Sequence, residues 1–360
     1  MPLVSHRELP TYDRLRQEGH HILTPERAAS QDIRALHIGL LNMMPDAALA
    51  ATERQFFRLV SSSNTISQFY MHPFTLPQIE RGKSARVHID QYYEPLEQIQ
   101  KQGLDALIIS GANITQPNLA EEVFWDPLKD VIDWAEQHVT STLCSCLASH
   151  AVFQFRYGLH RRGLSEKMWG VFPHRVTDPT HPLVSDTNSR FDVPHSRFNE
   201  VTPEQCRSAG LHVLVEGDTP GVQLAVSPDG FRMVFFQGHP EYDKISLLKE
   251  YKREVGRYIN GESTDYPPFP ANYFDLRSRA LLDEYKQHLE NAMAAKKSPP
   301  PFPEDLLTEQ LENTWHDSGE AVVGNWIGQV YQVTNAVRHM PHMQGIDPEN
   351  PLQWLDSSYA

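Results

Sequence analysis

Cys146 follows a short apolar segment and precedes a helical pattern, so it lies at a predicted strand-to-helix junction. Small residues, Cys144 and Ala148, flank it at two positions on either side, as the tight turn of a nucleophile elbow requires. At the start of a helix, the macrodipole and unpaired N–H groups favour the thiolate, which is the reactive form. The pattern predicts a cysteine nucleophile, with the backbone N–H of Leu147 helping to form an oxyanion hole.

A histidine and a glutamate after a later apolar segment supply the other groups that this chemistry needs. His239 and Glu241 follow residues 232–237, and extended backbone would send both side chains to the same side. Glu241 can then hold the imidazole in the tautomer that removes a proton. Taken singly, a buried structural cysteine and a histidine in a surface loop are ordinary alternatives. Together with Cys146, the pair predicts nucleophilic catalysis.

The cysteine content excludes a disulfide framework. Three cysteines, two of them in one apolar segment, are too few to build one, so free thiols are expected at Cys144, Cys146 and Cys206. Cys144 is interpreted as packing beside the elbow. No metal site is predicted, because Cys-x-Cys lacks a paired cluster of ligands, and His339 and His342 lie in a polar tail.

Composition narrows the class of protein. The chain has 360 residues with 40% hydrophobic content, enough for one large or two modest domains. No apolar segment approaches the roughly 20 residues of a membrane span, and the first residues contain no secretion-type apolar region, so a cytoplasmic location is expected. The net charge of -14 argues against nucleic acid or an anionic membrane surface as a main partner.

Alternating apolar and amphipathic segments predict an α/β fold. Apolar segments at 34–45, 105–113 and 139–144 precede helical patterns at 48–61, 127–138 and 148–157. Three such alternations predict a parallel sheet with helices on both faces. Further strands are expected at 213–216, 222–226 and 232–237. Ligands of such sheets bind at the carboxyl ends of the strands, where Asn113, Cys146 and His239 fall.

The chain divides into three predicted parts. Residues 1–32 are polar, lack sustained periodicity and form an N-terminal extension; residues 33–295 form the catalytic α/β domain. Residues 296–360 begin with a proline-rich, extended connector at 296–303. The segment beyond it, with Trp315, Trp326 and Tyr331, is expected to return as a helix that packs on the core.

Short motifs between about Ile33 and about Met340 carry a family resemblance. They are Asn42-Met43-Met44-Pro45, Thr52-Glu53-Arg54-Gln55-Phe56, the Thr-Ser-Thr-Leu-x-x-Cys block ending at Cys146, Glu166-Lys167, Pro194-His195-Ser196-Arg197, Gly238-His239-Pro240-Glu241-Tyr242-Asp243 and Asn325-Trp326. These residues resemble the MetA-type homoserine O-acyltransferases of methionine biosynthesis, whose core is similar to class I glutamine amidotransferases. The resemblance implies a flavodoxin-like fold and ping-pong transfer of an acyl group from acyl-CoA to the homoserine hydroxyl.

The resemblance also implies roles for individual residues. Cys146 corresponds to the acyl-thioester nucleophile, His239 to the proton acceptor and Glu241 to its orienting partner. Lys167, Ser196 and Arg253 match substrate-contacting positions, and a guanidinium at 253 can pair with an α-carboxylate through two hydrogen bonds. Without the resemblance, the alternative for Lys167 and Arg253 is a solvated helix or loop face.

The acyl donor is the point at which the sequence departs from the family pattern. That pattern has proline at the position of Asn113, and at the position of Thr115 it has glycine for succinyl transfer or glutamate for acetyl transfer. Threonine brings no charge and can donate a hydrogen bond to the distal carboxylate of a succinyl group. Succinyl-CoA is therefore favoured over acetyl-CoA as co-substrate, with no bound cofactor.

Other functions stay open at this stage. The same scaffold and catalytic residues could hydrolyse glutamine, and a non-catalytic ligand-binding protein is a further alternative. The expected partners are the small-molecule substrates, acyl-CoA and L-homoserine, and a homodimer is compatible with the sequence.

Overall fold

A single mixed sheet organises the computed structural model, which describes residues 3–63 and 67–353. Its strands are β1 (Leu3–Val4), β2 (Ile22–Leu23), β3 (Ala35–Met43), β4 (Gln68–Phe74), β5 (Ala106–Ala112), β6 (Ser141–Ser145), β7 (Arg162–Val176), β8 (Arg190–Glu200), β9 (His212–Gly217), β10 (Gly221–Val226) and β11 (Met233–Phe236). Across the described part of the chain, the strand order is β2-β1-β4-β3-β5-β6-β11-β10-β9-β7-β8.

Helices connect and cover these strands. They are α1 (Pro10–Gln17), α2 (Pro25–Ala29), α3 (Asp46–Ser62), α4 (Lys83–Tyr92), α5 (Leu96–Gln102), α6 (Trp125–His138), α7 (Leu147–Tyr157), α8 (Pro203–Ser208), α9 (Ser246–Ile259), α10 (Leu276–Ala294), α11 (Glu304–Gln310) and α12 (His316–Val333). Two short 3₁₀ turns lie at Leu119–Glu121 and Pro182–Val184. None of the helices in the described residues is both long and apolar enough to cross a bilayer.

The predicted α/β fold with a mainly parallel sheet is confirmed. From β2 to β11 along the sheet, every described pair of neighbouring strands is parallel. The sheet then continues through β10, β9, β7 and β8 in antiparallel pairs. The hairpin of β7 and β8 was not predicted, because the first part of β7 is mostly exposed and its polar residues break the apolar pattern that marks a central strand.

Strand side chains alternate between two apolar layers. Ile108 packs in the layer that contains Phe56 of α3 and Trp326 of α12. Its neighbour Ile109 packs in the opposite layer, which contains Ile132 of α6. This alternation is the period of two that a strand imposes, and it explains why β5 is apolar on both faces. Helices therefore cover both faces of the sheet below the loops at its carboxyl edge.

The N-terminal extension joins the sheet rather than only lying on it. Leu3 of β1 pairs in parallel with Phe69 of β4, and β2 pairs on the other side of β1. Short strands of two residues give too little periodicity to be recognised from sequence. Residues 1–2 of the predicted extension lie outside the described residues.

The C-terminal segment returns to the core through α12. Residues 297–303 contain no helix or strand, and α12 then packs against α3. Trp326 Nε1 on α12 donates a 2.8 Å hydrogen bond to Ser141 Oγ at the start of β6, so the helix is tied to the strand that ends in the elbow. Residues 354–360 of the predicted C-terminal part lie outside the described residues.

Candidate active site

Cys146 forms a strained elbow between β6 and α7. Its backbone has φ of 52° and ψ of -108°, a region that non-glycine residues rarely adopt. The N–H of Cys146 donates a 2.7 Å hydrogen bond to Phe236 O at the end of β11. Ser149 Oγ donates to Cys144 O at 2.8 Å and to Phe236 O at 2.9 Å. The elbow is thus fixed from both strands that flank it.

The surroundings of Cys146 differ from those of the other two cysteines. Cys146 is partly exposed, whereas Cys144 and Cys206 are buried, and all three thiols are free. Burial, reinforced by Glu136, raises the pKa of the Cys144 thiol well above its usual range. Leu147 is the first residue of α7, where a backbone N–H has no acceptor within its own helix and can serve an oxyanion.

His239 links the elbow to Glu241. Its Nδ1 lies 2.8 Å from Glu241 Oε1, and its imidazole is close enough to Cys146 for the sulfur to raise the pKa of His239. Because Nδ1 is held by the carboxylate, Nε2 is the ring nitrogen left to exchange a proton with the sulfur. The Tyr242 N–H donates to His239 O at 3.1 Å, so these residues form a turn. The expectation of extended backbone is wrong here, because Pro240 has the fixed φ that suits the second position of a turn.

Charge favours a protonated imidazole at this position. Burial alone would lower the pKa of His239, but the charges of Cys146 and Glu241 and their hydrogen bonds hold it well above its ordinary value. An imidazolium opposite a cysteine sulfur stabilises the thiolate. The arrangement can therefore present a nucleophile and, next to it, a proton for a leaving group.

Helix α3 secures the turn that carries His239. Asp243 accepts a 2.8 Å hydrogen bond from Arg54 Nη2 and pairs with Arg58, whose Nη2 also donates to Glu241 O at 3.1 Å. Burial opposes ionisation of Asp243, but the two guanidinium groups lower its pKa below the usual value. This contact gives a physical reason for the motif at residues 52–56.

A half-buried carboxylate, Glu250 on α9, contacts the predicted substrate residues. Ser196 Oγ donates to Glu250 Oε2 at 2.6 Å, and Lys167 Nζ lies 3.3 Å from the same oxygen. Tyr242 Oη donates to Glu250 Oε1 at 2.9 Å, and the Tyr242 ring stacks on His239 with centroids 4.3 Å apart. The cluster around Glu250 is thereby connected to the imidazole of His239.

Sequence reasoning missed Glu250. Burial would raise the pKa of this carboxyl, but Lys167, followed by the Ser196 and Tyr242 hydroxyls, lowers it, so a negative charge is maintained inside the site. The available signal was its position three residues before Arg253 on one helix, since residues at this spacing share a face. Nothing in composition marks a single glutamate on an amphipathic helix as functional.

Arg253 is not brought into this cluster. Its side chain is 61% exposed, and its Nε lies 3.2 Å from Glu254 Oε1. Burial lowers the pKa of Lys167, Glu250 opposes that effect, and Arg253 is close enough to add a further lowering. Arg253 therefore lies on the solvent side of the cluster around Glu250. A change of rotamer is needed before its guanidinium can contact a ligand there.

Comparisons with known proteins place the chain in a family. The family model described as homoserine O-succinyltransferase matches residues 2–336. The chain belongs to the homoserine O-succinyltransferase family. It is 62% identical over 352 residues to the homoserine O-succinyltransferase of Allochromatium vinosum, covering 98% of this chain and 99% of that protein. It is 59% identical to the enzyme of the same name from Methylococcus capsulatus, with the same coverage of both chains.

Among solved structures, a glutamine amidotransferase from Thermotoga maritima aligns with 82% of this chain and 98% of its own, at 12% identity and a TM-score of 0.47. The family predicted from the motifs is confirmed by the family model and the curated relatives.

The loop after β5, which contains Asn113 and Thr115, is hydrogen-bonded to the carboxylate of Glu122. The N–H of Thr115 donates to Glu122 Oε1 at 2.6 Å, and its Oγ1 donates to Glu122 Oε2 at 3.2 Å. Gln116 N–H donates to Oε1 at 2.7 Å. The hydroxyl expected to meet a distal carboxylate thus already has an acceptor. Asn113, Thr115 and Glu122 line a cavity of about 620 Å³.

Arg161 supplies positive charge beside this loop. It is half-buried, and its Nη2 donates to Pro117 O at 3.2 Å. Burial lowers the pKa of Arg161, while the charges of Glu122 and Cys146 oppose that effect, so its guanidinium lies within electrostatic reach of both. Sequence reasoning missed this residue because it follows a turn in a polar segment.

Proposed function

We propose that this chain transfers a succinyl group from succinyl-CoA to the hydroxyl of L-homoserine through a thioester on Cys146. The observation that carries the proposal is the contact of His239 with both Cys146 and Glu241 at a strained strand-to-helix elbow. The family match and the succinyltransferase names of the relatives support the donor and the acceptor.

The first half-reaction forms the acyl-enzyme. The Cys146 thiolate attacks the thioester carbonyl, and the oxyanion of the tetrahedral intermediate is stabilised by the N–H of Leu147. The bond to the CoA sulfur then breaks, and the proton on His239 passes to the departing thiolate. Cys146 now carries the succinyl group, and His239 is left neutral and able to accept a proton.

The second half-reaction transfers the group. The homoserine hydroxyl attacks the Cys146 thioester while His239 Nε2 removes its proton, and Glu241 stabilises the imidazolium that results. Collapse of the intermediate releases O-succinylhomoserine and restores the thiolate and the imidazolium. Because CoA leaves before homoserine reacts, the kinetics are ping-pong.

The cluster around Glu250 suits an amino acid as the acyl acceptor. The Glu250 carboxylate, already held by Ser196 and Lys167, offers an acceptor for the homoserine ammonium group. Arg253 lies one turn further along α9 and, after a rotamer change, can pair with the α-carboxylate. The two charges of the substrate would thus be fixed while its hydroxyl points towards His239.

The donor side suits a dicarboxylic acyl group. Arg161 lies within electrostatic reach of Cys146 and can attract the distal carboxylate of a succinyl thioester. An acetyl group has no charge to use this guanidinium. In this proposal, Thr115 shapes the loop by holding Glu122 and does not bind the succinyl group directly.

The setting that we propose is methionine biosynthesis in the cytoplasm. The three free thiols suit a reducing compartment. The substrates, acyl-CoA and L-homoserine, are both small molecules, and the proposed reaction needs no bound cofactor.

Intact-mass measurement after mixing with succinyl-CoA or acetyl-CoA tests the proposal. We expect a succinyl adduct on the wild-type chain and on Cys206→Ser, whose substituted thiol is buried away from the site. The adduct should be absent from Cys146→Ser and should disappear when homoserine is added. An acetyl adduct alone would identify acetyl-CoA as the donor in place of succinyl-CoA. The absence of an adduct with both thioesters would overturn the mechanism.

A further inference from the structure

A second group of potential ligands lies at the other end of the chain, where the N-terminal extension meets the sheet. His6 follows β1, His72 lies on β4 and Glu94 precedes α5. One possible ligand atom from each of the three residues lies within 4.8 Å of the other two. His72 and Glu94 are buried, and His6 is half-buried.

The histidines are oriented as metal ligands usually are. His6 Nδ1 donates to Val4 O at 3.2 Å, which directs the lone pair of Nε2 away from the backbone. That Nε2 is buried and has no hydrogen-bond partner within residues 3–63 and 67–353. His72 Nδ1 lies 2.7 Å from Glu94 Oε1, and its Nε2 lies 2.9 Å from His37 Nδ1. A hydrogen bond to the other ring nitrogen is the normal support for an imidazole that binds a metal.

We propose that His6 Nε2, His72 Nδ1 and Glu94 bind one Zn²⁺ ion. Two imidazoles and a carboxylate are a donor set that zinc takes with a water as fourth ligand, whereas Mg²⁺ and Ca²⁺ prefer oxygen donors. The ion would replace the proton between His72 and Glu94. Ligand atoms of a tetrahedral zinc site are about 3.3 Å apart, so small side-chain rotations close the remaining gap.

The charges around the cluster set its affinity. Glu94 Oε2 lies 3.0 Å from Arg7 Nη2, an ion pair whose geometry falls short of a hydrogen bond. The carboxylate can keep this contact through one oxygen while the other binds the ion. The guanidinium nevertheless repels a second cation, so Arg7 weakens zinc binding. His6 and Arg7 also line a cavity of about 570 Å³, which gives the ion a route of entry.

The ion would fasten the extension to the core. Its ligands come from three segments that are distant in sequence: the end of β1, the strand β4 with which β1 pairs, and the loop before α5. β1 is only two residues long, so its own ladder contributes little. The proposal departs from the sequence expectation of no metal site, because no local spacing of ligands announces it.

Zinc titration of the full-length, EDTA-treated protein tests the proposal by calorimetry and thermal melting. We expect one Zn²⁺ per chain, a melting temperature that rises with zinc concentration, and at least about tenfold weaker binding in His6→Gln. Arg7→Gln should bind zinc more tightly than wild type. His21→Gln, an exposed histidine of the same extension, is the matched control and should bind as wild type does.

Co²⁺ spectra identify the donors. The expected spectrum has the visible bands of a tetrahedral site and no thiolate charge-transfer band, and these bands are lost in His6→Gln. Equal zinc binding by wild type and His6→Gln, or a spectrum made up only of thiolate bands from Cys146, would overturn the proposal. Because His6 is at the surface end of the cluster, its variant should fold, which circular dichroism of the metal-free protein checks.

Discussion

Ser196 Oγ donates a 2.6 Å hydrogen bond to Glu250 Oε2. Ser196 matches a substrate-contacting position of the family, whereas Glu250 lies outside the family motifs. Lys167 contacts the same oxygen, and Tyr242 contacts the other. Residues that resemble the family's acceptor site are therefore arranged around a negative charge. In the proposed function, this carboxylate receives the ammonium group of homoserine.

Glu250→Gln should impair homoserine binding. Loss of the carboxylate removes a hydrogen bond to a charged group, worth roughly 1.5–3 kcal/mol, so KM for homoserine should rise about tenfold or more. Formation of the acyl-enzyme from succinyl-CoA should be nearly unchanged, since that step involves no acceptor. Steady-state kinetics and the rate of adduct formation measure the two effects, with Glu284→Gln, an exposed glutamate of α10, as control. A slowed first half-reaction with unchanged KM would contradict the assignment.

Arg161→Gln should reduce selectivity for the donor. Without the guanidinium, kcat/KM for succinyl-CoA should fall about tenfold, whereas the low value for acetyl-CoA should change little. The neighbouring Arg162→Gln is the control, because that side chain is 66% exposed and pairs with Glu200. Equal losses with both donors in Arg161→Gln would mean that the residue supports the elbow and does not recognise succinyl.

The sequence predicted the elements with strong local signals. β5, β6 and their helices were recognised because apolar segments buried on both faces are followed by amphipathic patterns. Cys146 was recognised because an elbow restricts its neighbours to small residues, and the structure gives it a positive φ. In these places, local sequence and the final fold impose the same demand.

The parts that could not be predicted depend on contacts between distant segments. Glu250 contacts Ser196 and Lys167, which are more than fifty residues away in sequence. Glu122 accepts a hydrogen bond from Thr115 because the loop between them folds back on itself. The two-residue β1 exists because β4 offers it a partner. A turn at His239 replaces the expected extended backbone, although Pro240 was a visible signal.

Asp243→Asn should slow catalysis without weakening substrate binding. The neutral amide pairs less well with Arg54 and Arg58, so the turn that places Glu241 and His239 becomes less firmly held. We expect kcat to fall about tenfold, with KM for both substrates within about twofold of wild type. The control is Asp305→Asn, an exposed residue near the start of α11. An unchanged kcat would show that the clamp does not act on the catalytic residues.

Buried histidines should make the fold sensitive to acid. Burial, opposed by a hydrogen bond to Gln237, lowers the pKa of His150 to about 3, and burial lowers that of His174 to about 4. Below about pH 6.5, the unfolded chain binds protons that the folded chain does not, so the free energy of unfolding should fall with decreasing pH. Each group contributes at most about 1.4 kcal/mol per pH unit, down to its folded pKa.

Denaturant unfolding of His150→Gln at pH 7.5, 6 and 5 isolates one of these contributions. Glutamine can still donate to Gln237 Oε1, the acceptor that lies 2.8 Å from His150 Nε2, but it cannot bind a proton in the unfolded chain. The variant should be less stable than wild type at pH 7.5 because packing is lost, yet it should lose less stability on acidification. His212→Gln, at an exposed position, should keep the wild-type slope. If His150→Gln also keeps that slope, His150 is not the source of the acid sensitivity.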